Sequence, residues 1–286
     1  MSRGQKKFAV DKKISDSDIV SLAHEVLSST VETLPGVEFE KKTVTIALNG
    51  YPTQKPEGKR AQTIDLDILR SSIESDVKSA IETELQRLFP HVQTHWHSHT
   101  RAALETLRSN SKSARDCTII DVGSLSTTIL SIRKGLIVES IDVPLGSQEI
   151  CTRIAHKGMP EEVRAFLRMI EHDQCTSEAC SAVVSAIALF EPEMVRTFGE
   201  ACAKLTSQRR LPNVAYILSD PDLSPWLSRF FERIDFNQFT TTTRAFLVTR
   251  FDAKNAGSNI EYGPSVTPDD SMLLAGALVH TGEDGQ

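Results

Sequence analysis

Residues 117–146 read CTIIDVGSLSTTILSIRKGLIVESIDVPLG, and their pattern decides the fold of the chain's second half. Cys117 to Ile120 is an apolar run that ends in Asp121-Val122-Gly123. A short polar turn follows, Ser124, Leu125 and Ser126, and then a second β-rich run, Thr127 to Ile132. Lys134-Gly135 makes the next turn, and Leu136 to Val143 a third run. Gly146 precedes Ser147, a residue suited to a helix N-cap. The whole predicts two successive hairpins feeding a helix. The chemistry of the stretch lies in the first turn. An acid at the end of a buried strand, here Asp121, can face a cation or a water. A glycine two residues on, Gly123, lets the backbone approach a phosphate closely, and the hydroxyls of Ser124, Ser126 and Thr127 can donate to phosphate oxygens. An ordinary hairpin with a glycine turn has the same pattern.

This stretch resembles the second phosphate loop of the actin-like ATPase superfamily, in its FtsA/PilM-like branch. Asp121, Gly123 and Thr127 fall where that loop keeps its acid, its glycine and a hydroxyl. Ser124 stands where the family has a second glycine, and Thr128 where it has a second Asp. A second segment, residues 43–69, reads TVTIALNGYPTQKPEGKRAQTIDLDIL. Val44, Ile46 and Leu48 alternate, turns follow at Asn49-Gly50 and Pro56-x-Gly58-Lys59, and Ile64, Leu66 and Ile68 alternate against Asp65 and Asp67. That is a strand, loop, strand unit with one buried face. It is similar to the SHS2-type subdomain of the same branch, and the two segments occur in the family's order.

The resemblance implies an α/β protein with an actin-like (ribonuclease H-like) second lobe and an α+β SHS2-type subdomain, with the first-lobe strands largely missing. The expected domains are the SHS2-like unit at 1–94, a connecting strand, helix and linker at 95–115, and the lobe at 116–286 with a helical insert at about 160–207. In the first unit a short strand at Phe8 and Val10 precedes a helix capped by Ser15 or Asp16, with Ile19, Leu22, Ala23, Val26 and Leu27 on one face. A second helix is predicted from about Leu69 to Phe89, on the stripe Leu69, Ile73, Val77, Ile81, Leu85, Leu88. A strand over 91–98 and a helix over 100–108 then lead to a polar linker, Ser109 to Arg115. Helices follow at 147–156, 160–172, 176–190 and 192–207. Val214 to Leu218 reads as a strand, Pro225 to Arg233 as a helix, Thr242 to Val248 as a strand and Ser271 to Val279 as a last helix.

Composition narrows the function classes. At 286 residues with 40% hydrophobic and 24% charged residues, the chain is an ordinary globular sequence. A net charge of −6 argues against nucleic acid as a default partner. No apolar run approaches the ~20 residues of a membrane-spanning helix and no signal peptide opens the chain, so no membrane insertion is expected. Five cysteines without a C-x-x-C pair suggest reduced, mostly buried thiols in the cytoplasm.

In the family, nucleotide sits between two phosphate loops, with an adenosine loop behind. Nothing resembling the first loop, Asp-x-Gly-Ser/Thr, occurs before residue 43. The adenosine loop is placed at Asn213 to Ser224, where Asp220-Pro221 stands in for the family's Gly-Gly and Ser219 is a further cleft candidate. Proline removes a backbone donor, and Asp220 sets negative charge where phosphate or a purine edge would approach. Phosphoryl transfer depends on complete positioning and charge stabilisation. These departures favour a scaffold over a working ATPase, with no cofactor or weakly bound ATP and magnesium. Asp121 and Ser219 to Asp222 are expected to line one cleft. The partner surface is expected on the first unit, at the Asn49 to Lys59 loop, carried by Asn49, Gly50, Tyr51, Lys59 and Arg60. The implied partners are division or pilus-assembly proteins or a second copy of the chain. Two alternatives stand beside this: an ATP-binding, polymerising protein with Asp121 holding a metal-bound water, and a metal site on His95, His97 and His99, which would share one face of a strand.

Overall fold

The computed structural model describes residues 2–29, 36–53, 55–110, 115–155, 158–207, 209–251, 263 and 270–280. Two compact units divide the chain, one ending at Ala103 and the other starting at Leu104.

The first unit is a four-stranded antiparallel sheet with helices. It contains β1 (Ser2–Lys13), α1 (Asp16–Ser29), β2 (Val37–Leu48), β3 (Tyr51–Pro52), β4 (Arg60–Ile73) and α2 (Ser75–Leu88), in the sheet order β1-β4-β2-β3. Alternation puts Ile64, Leu66 and Ile68 of β4 on one face, where Leu22 and Val26 of α1 and Ile14 cover them. Full burial of each such side chain contributes about 1.5–3 kcal/mol. The β2–β3 hairpin turns on Asn49 and Gly50, both with positive φ, 52° and 75°. That is the two-residue turn in which Asn-Gly is favoured, because both central residues take left-handed backbone. The Asn49 side chain also accepts from the Gln62 and Thr63 amides at 2.8 and 3.0 Å, tying the turn to β4.

Two expectations fail in this unit. Leu69 to Ile73 belong to β4, not to a helix, because β2 pairs with them down to Val37↔Ile73. α2 therefore starts at Ser75 and buries none of its residues. Residues 91–98 form no strand; within them Trp96 packs against Phe39 and its indole donates to the Glu82 carboxylate at 3.1 Å. α3 (His99–Asn110) follows, and the linker expected at Ser109 to Arg115 falls largely on residues 111–114, outside the described residues.

The second unit holds β5 (Cys117–Val122), β6 (Thr127–Arg133), β7 (Leu136–Val143), α4 (Ser147–Ala155), α5 (Pro160–Glu171), α6 (Glu178–Leu205), β8 (Val214–Leu218), α7 (Ser224–Arg233), β9 (Leu247–Arg250) and α8 (Asp270–His280). Its sheet has the order β7-β6-β5-β8-β9. β5 pairs antiparallel with β6 and parallel with β8, β6 pairs antiparallel with β7, and β8 pairs parallel with β9. Only β6 thus runs against the others. This order and these directions are the ones expected of a ribonuclease H-like lobe. The core joins Ile120, Ile129 and Val143 of the sheet to Ile150, Leu167, Met194, Phe198, Phe230 and Phe231 of the helices. Phe231 meets Phe198 and Phe230 edge-on, with ring centroids 5.0 and 5.1 Å away.

Here too the structure departs from expectation. The helices expected at 176–190 and 192–207 are one helix, α6, of 28 residues with Pro192 inside it. Phe190, Met194 and Phe198 are all buried, and their packing on both sides of the proline outweighs the lost hydrogen bond. The last strand starts at Leu247, not Thr242. Thr240 to Thr243 form a turn in which Thr243 has φ 54° and the Thr240 hydroxyl donates to the Arg244 carbonyl at 2.6 Å. Cys175 and Cys180 form a disulfide, while Cys117, Cys151 and Cys202 are buried thiols. The pair closes because the chain bends at Ser177, which caps α6 by accepting from the Cys180 amide at 3.1 Å and brings the two Cα atoms to 5.5 Å.

Candidate functional site

In open α/β sheets ligands bind beyond the carboxyl ends of the parallel strands. The register Asp121↔Leu218 fixes what occupies that edge. It brings the 123–126 turn after β5 and the 219–223 turn after β8 to the same side of the sheet. Val143 pairs with Thr127, so the start of α4 joins them there. The sequence thus placed Asp121, Gly123, Ser124, Ser126, Thr127, Ser219 and Asp220 on one edge of one sheet.

Their roles in that edge differ. Asp121 is half-buried, and Gly123 to Ser126 are exposed. Thr127 is fully buried, and its hydroxyl donates to the Leu145 carbonyl at 2.6 Å. Its single proton is thereby committed inside the protein. The turn itself caps α4: the Ser147 amide donates to the Gly123 carbonyl at 2.8 Å, and the Gln148 amide to the Ser124 carbonyl at 3.0 Å. The first amides of a helix are the usual anion donors, and here the protein's own carbonyls take two of them. Gly146 makes this approach possible. A Cβ there would stand 2.5 Å from the Leu125 carbonyl carbon and closer still to the Ser124 carbonyl oxygen.

The second turn is closed by charge. Asp220 accepts from the Asp222 amide at 2.9 Å, and its backbone carbonyl takes the Leu223 and Ser224 amides at 3.0 and 2.9 Å. The N-cap position of α7 is Leu223, not Ser224 or Asp222, and no side chain caps it; the Asp220 bonds hold the turn that leads into the helix. Two arginines of α5 meet the acids: Arg164 lies 3.3 Å from the Asp220 carboxylate, and Arg168 lies 3.0 Å from that of Asp222. One helical turn separates the arginines, which suits acids two residues apart in a turn. Sequence reading missed this ladder. Its only local signal is the four-residue spacing of Arg164 and Arg168. Burial pushes the nearby Cys151 thiol up, although Arg164 acts against this. Ser219 is buried, and among the described residues its hydroxyl donates to its neighbour's carbonyl at 3.3 Å.

The residues expected to form a partner surface lie together at one end of the first unit. Tyr51 is 78% exposed, the most open aromatic side chain among the described residues. Lys59 donates to the Thr53 hydroxyl at 2.6 Å, and Arg60 grips Asp11 through its carboxylate and its carbonyl, both at 2.9 Å. Gly58 closes the loop by donating to the Ile14 carbonyl at 2.9 Å.

The histidine site loses its premise, because His95, His97 and His99 share no strand face. His97 Nδ1 lies 2.9 Å from Arg101, whose guanidinium also donates to the buried Glu40 carboxylate at 3.2 Å. Ser71 and the Ser98 amide complete that carboxylate's shell at 2.9 and 3.2 Å. His99 opens α3. Among the described residues no three His, Cys, Asp or Glu side chains gather as metal ligands. No described helix is long and apolar enough to cross a membrane.

No protein-family model matches the chain, and no curated protein does. Solved structures of the actin-like ATPase fold are similar to it. A PilM–PilN type IV pilus biogenesis complex aligns at 16% identity and a TM-score of 0.48, over 80% of this chain and 64% of that one. The ethanolamine utilization protein EutJ from Carboxydothermus hydrogenoformans aligns at 14% identity and a TM-score of 0.37, over 82% of this chain and 92% of that one. The apo ParM protein of pSK41 aligns at 11% identity and a TM-score of 0.40, over 98% of this chain and 91% of that one. The chain therefore spans just under two thirds of the length of the PilM–PilN chain it matches.

Proposed function

We propose that this chain is an FtsA/PilM-like scaffold of the cytoplasm, serving cell division or type IV pilus assembly through protein contacts, with a degenerate nucleotide cleft. The observation that supports it most is the engagement of the candidate cleft by the protein itself. Asp220 and Asp222 are held by Arg164 and Arg168, the Thr127 proton goes to Leu145, and the first amides of α4 go to the 123–126 turn. A phosphate arriving at this edge would have to displace bonds already made, and it would meet two carboxylates. The residues present do not fit a tight ATP site. In the first unit Tyr51 is exposed and offers the kind of aromatic anchor that concentrates interface energy. Its partner would be another assembly protein or a second copy of the chain. The Cys175–Cys180 disulfide weighs against a reducing compartment and the three buried thiols weigh for one.

Nucleotide binding is the second reading, favoured by a half-exposed Asp121 beside an exposed turn. Two measurements separate the readings. Calorimetry with magnesium and ATP should show no saturable binding tighter than about millimolar, ~4 kcal/mol. Replacing Tyr51 and Arg60 with Ala should abolish capture of the native partner and change stability by no more than about 0.5 kcal/mol, while Asp121→Ala leaves capture intact. The opposite pattern, or a micromolar dissociation constant for ATP, replaces the scaffold reading with a nucleotide switch.

A further inference from the structure

The amino end of the second unit's sheet carries an unusual charge distribution. Strand order brings four separate segments together there: 115–116, 133–135, 209–213 and 240–246. They contain Arg115, Arg133, Lys134, Arg209, Arg210 and Arg244, against a single acid, Asp116. Hydrogen bonds stitch the segments to one another. Arg133 donates to the Arg210 carbonyl at 2.6 Å and to the Thr241 hydroxyl at 3.1 Å. Asn213 donates to the Arg244 carbonyl at 3.0 Å, and the Gly135 amide to the Arg115 carbonyl at 2.7 Å. Asp116 is turned to the backbone, accepting from the Lys134 amide at 2.7 Å.

None of these six cations has a carboxylate partner among the described residues. Arginines of the helical layer do: Arg153 pairs with Glu149 and Glu193, Arg164 with Asp220, Arg168 with Asp222, Arg229 with Glu171 and Arg233 with Glu191. In a chain of net charge −6, the unpaired positive charge at this edge is a concentrated feature. All but the half-buried Arg133 are exposed.

We infer that this edge is a docking surface for an extended acidic segment of a partner protein. Four adjacent strand ends at about 4.8 Å spacing span ~14 Å, the length of roughly four extended residues. Five of the six cations are arginines, whose guanidinium forks take carboxylates in two-point fashion. Leu247, 64% exposed at the start of β9, adds an apolar contact beside them. Among the described residues the edge offers no exposed ring on which nucleic-acid bases could stack: Phe236 and Phe246 are buried and Phe239 is half-buried. One exposed leucine and one lysine make a poor membrane anchor. The surface belongs to a different unit from the Tyr51 loop, so the two can be tested separately.

The test uses the full chain and a fluorescein-labelled octapeptide of Glu and Leu, followed by anisotropy at about 50 mM salt. Saturable binding is expected, absent for the same peptide with Gln in place of Glu. Arg209→Glu with Arg244→Glu should weaken it about tenfold or more, roughly 1.4 kcal/mol. These two side chains make no hydrogen bond or ion pair among the described residues, so the fold should stand. Arg115→Glu with Lys134→Glu gives an independent second variant. Arg196→Glu on α6, exposed but remote from the edge, should change binding little. The inference is overturned if no saturable peptide binding occurs, or if both double variants bind as the parent does. It is also overturned if a thymidine oligonucleotide or phosphatidylserine vesicles bind through Arg209 and Arg244 and the peptide does not.

Discussion

Gly146→Ala should destabilise the second unit by about 3 kcal/mol. The new methyl would stand 2.5 Å from the Leu125 carbonyl carbon, where the obstacle is backbone and cannot rotate away. The 123–126 turn must then move off α4, and the Ser147–Gly123 and Gln148–Ser124 hydrogen bonds go with it. Two such bonds are worth about 1 kcal/mol each, and crowding of a packed site adds roughly 1–2 kcal/mol. Set against a typical stability of about 5–15 kcal/mol, that is a large share. In urea, with a slope of ~2 kcal/mol per molar, the midpoint should fall by about 1–2 M. Gly199→Ala is the internal control. It lies in α6 with no described atom outside its own stretch of helix within 4 Å of the added Cβ, and should raise stability by about 0.5–1 kcal/mol. If the Gly146 variant unfolds at the parent midpoint, the close approach of turn and helix is not present in solution and the account of the candidate edge fails.

Three further outcomes follow from named contacts. Asp18 has its carboxyl pulled down to about 2, chiefly by the Lys12 ammonium and then by Ser15. Its contribution is therefore complete above the unfolded value near 4 and disappears as pH falls toward 2; discounted for solvent screening it is about 1 kcal/mol. Parent and Asp18→Asn should differ by that amount at pH 6 and converge at pH 2, as read by chemical unfolding. Burial pushes the Cys117 and Cys202 thiols up to about 12. Iodoacetamide at pH 8 should leave both unmodified in the native protein and label both in urea, and rapid native labelling by mass spectrometry would contradict their burial. Asn49→Ala should cost about 2 kcal/mol, from two lost backbone contacts and a left-handed φ without asparagine, whereas Tyr51→Ala should be nearly neutral to thermal melting.

Much of the second unit was legible because its cues are local. The runs between Cys117 and Val143, broken by Gly123 and Lys134-Gly135, permit little besides two hairpins, and both turns fall where the sequence puts them. β4 was harder. Leu69, Ile73 and Val77 are four apart, and that spacing keeps a helical face and a strand face alike; only pairing with β2, distant in sequence, decides between them. Pro192 reads as a helix break until the aromatic core around Phe198 is known. The site was legible in position and not in state. The order of β5 and β8 brings Asp121 and Ser219 to one edge, but whether their neighbours are engaged depends on Arg164 and Arg168, more than fifty residues from the acids they hold. The basic edge left only the pairs Arg133-Lys134 and Arg209-Arg210 as a trace, because strand order, not sequence, gathers its charge.

β1 carries one last consequence. It is the outer strand of its sheet, twelve residues long, and an unguarded strand of that length invites another copy to add on. Lys6, Lys7, Lys12 and Lys13 lie along it, and its pairing with β4 slips between Lys7 and Lys12. Stacking copies edge to edge would line up like charges and meet an interrupted ladder at mid-strand. Self-association through this rim is therefore disfavoured. A filament of these chains, if one is built, has to grow from some other face.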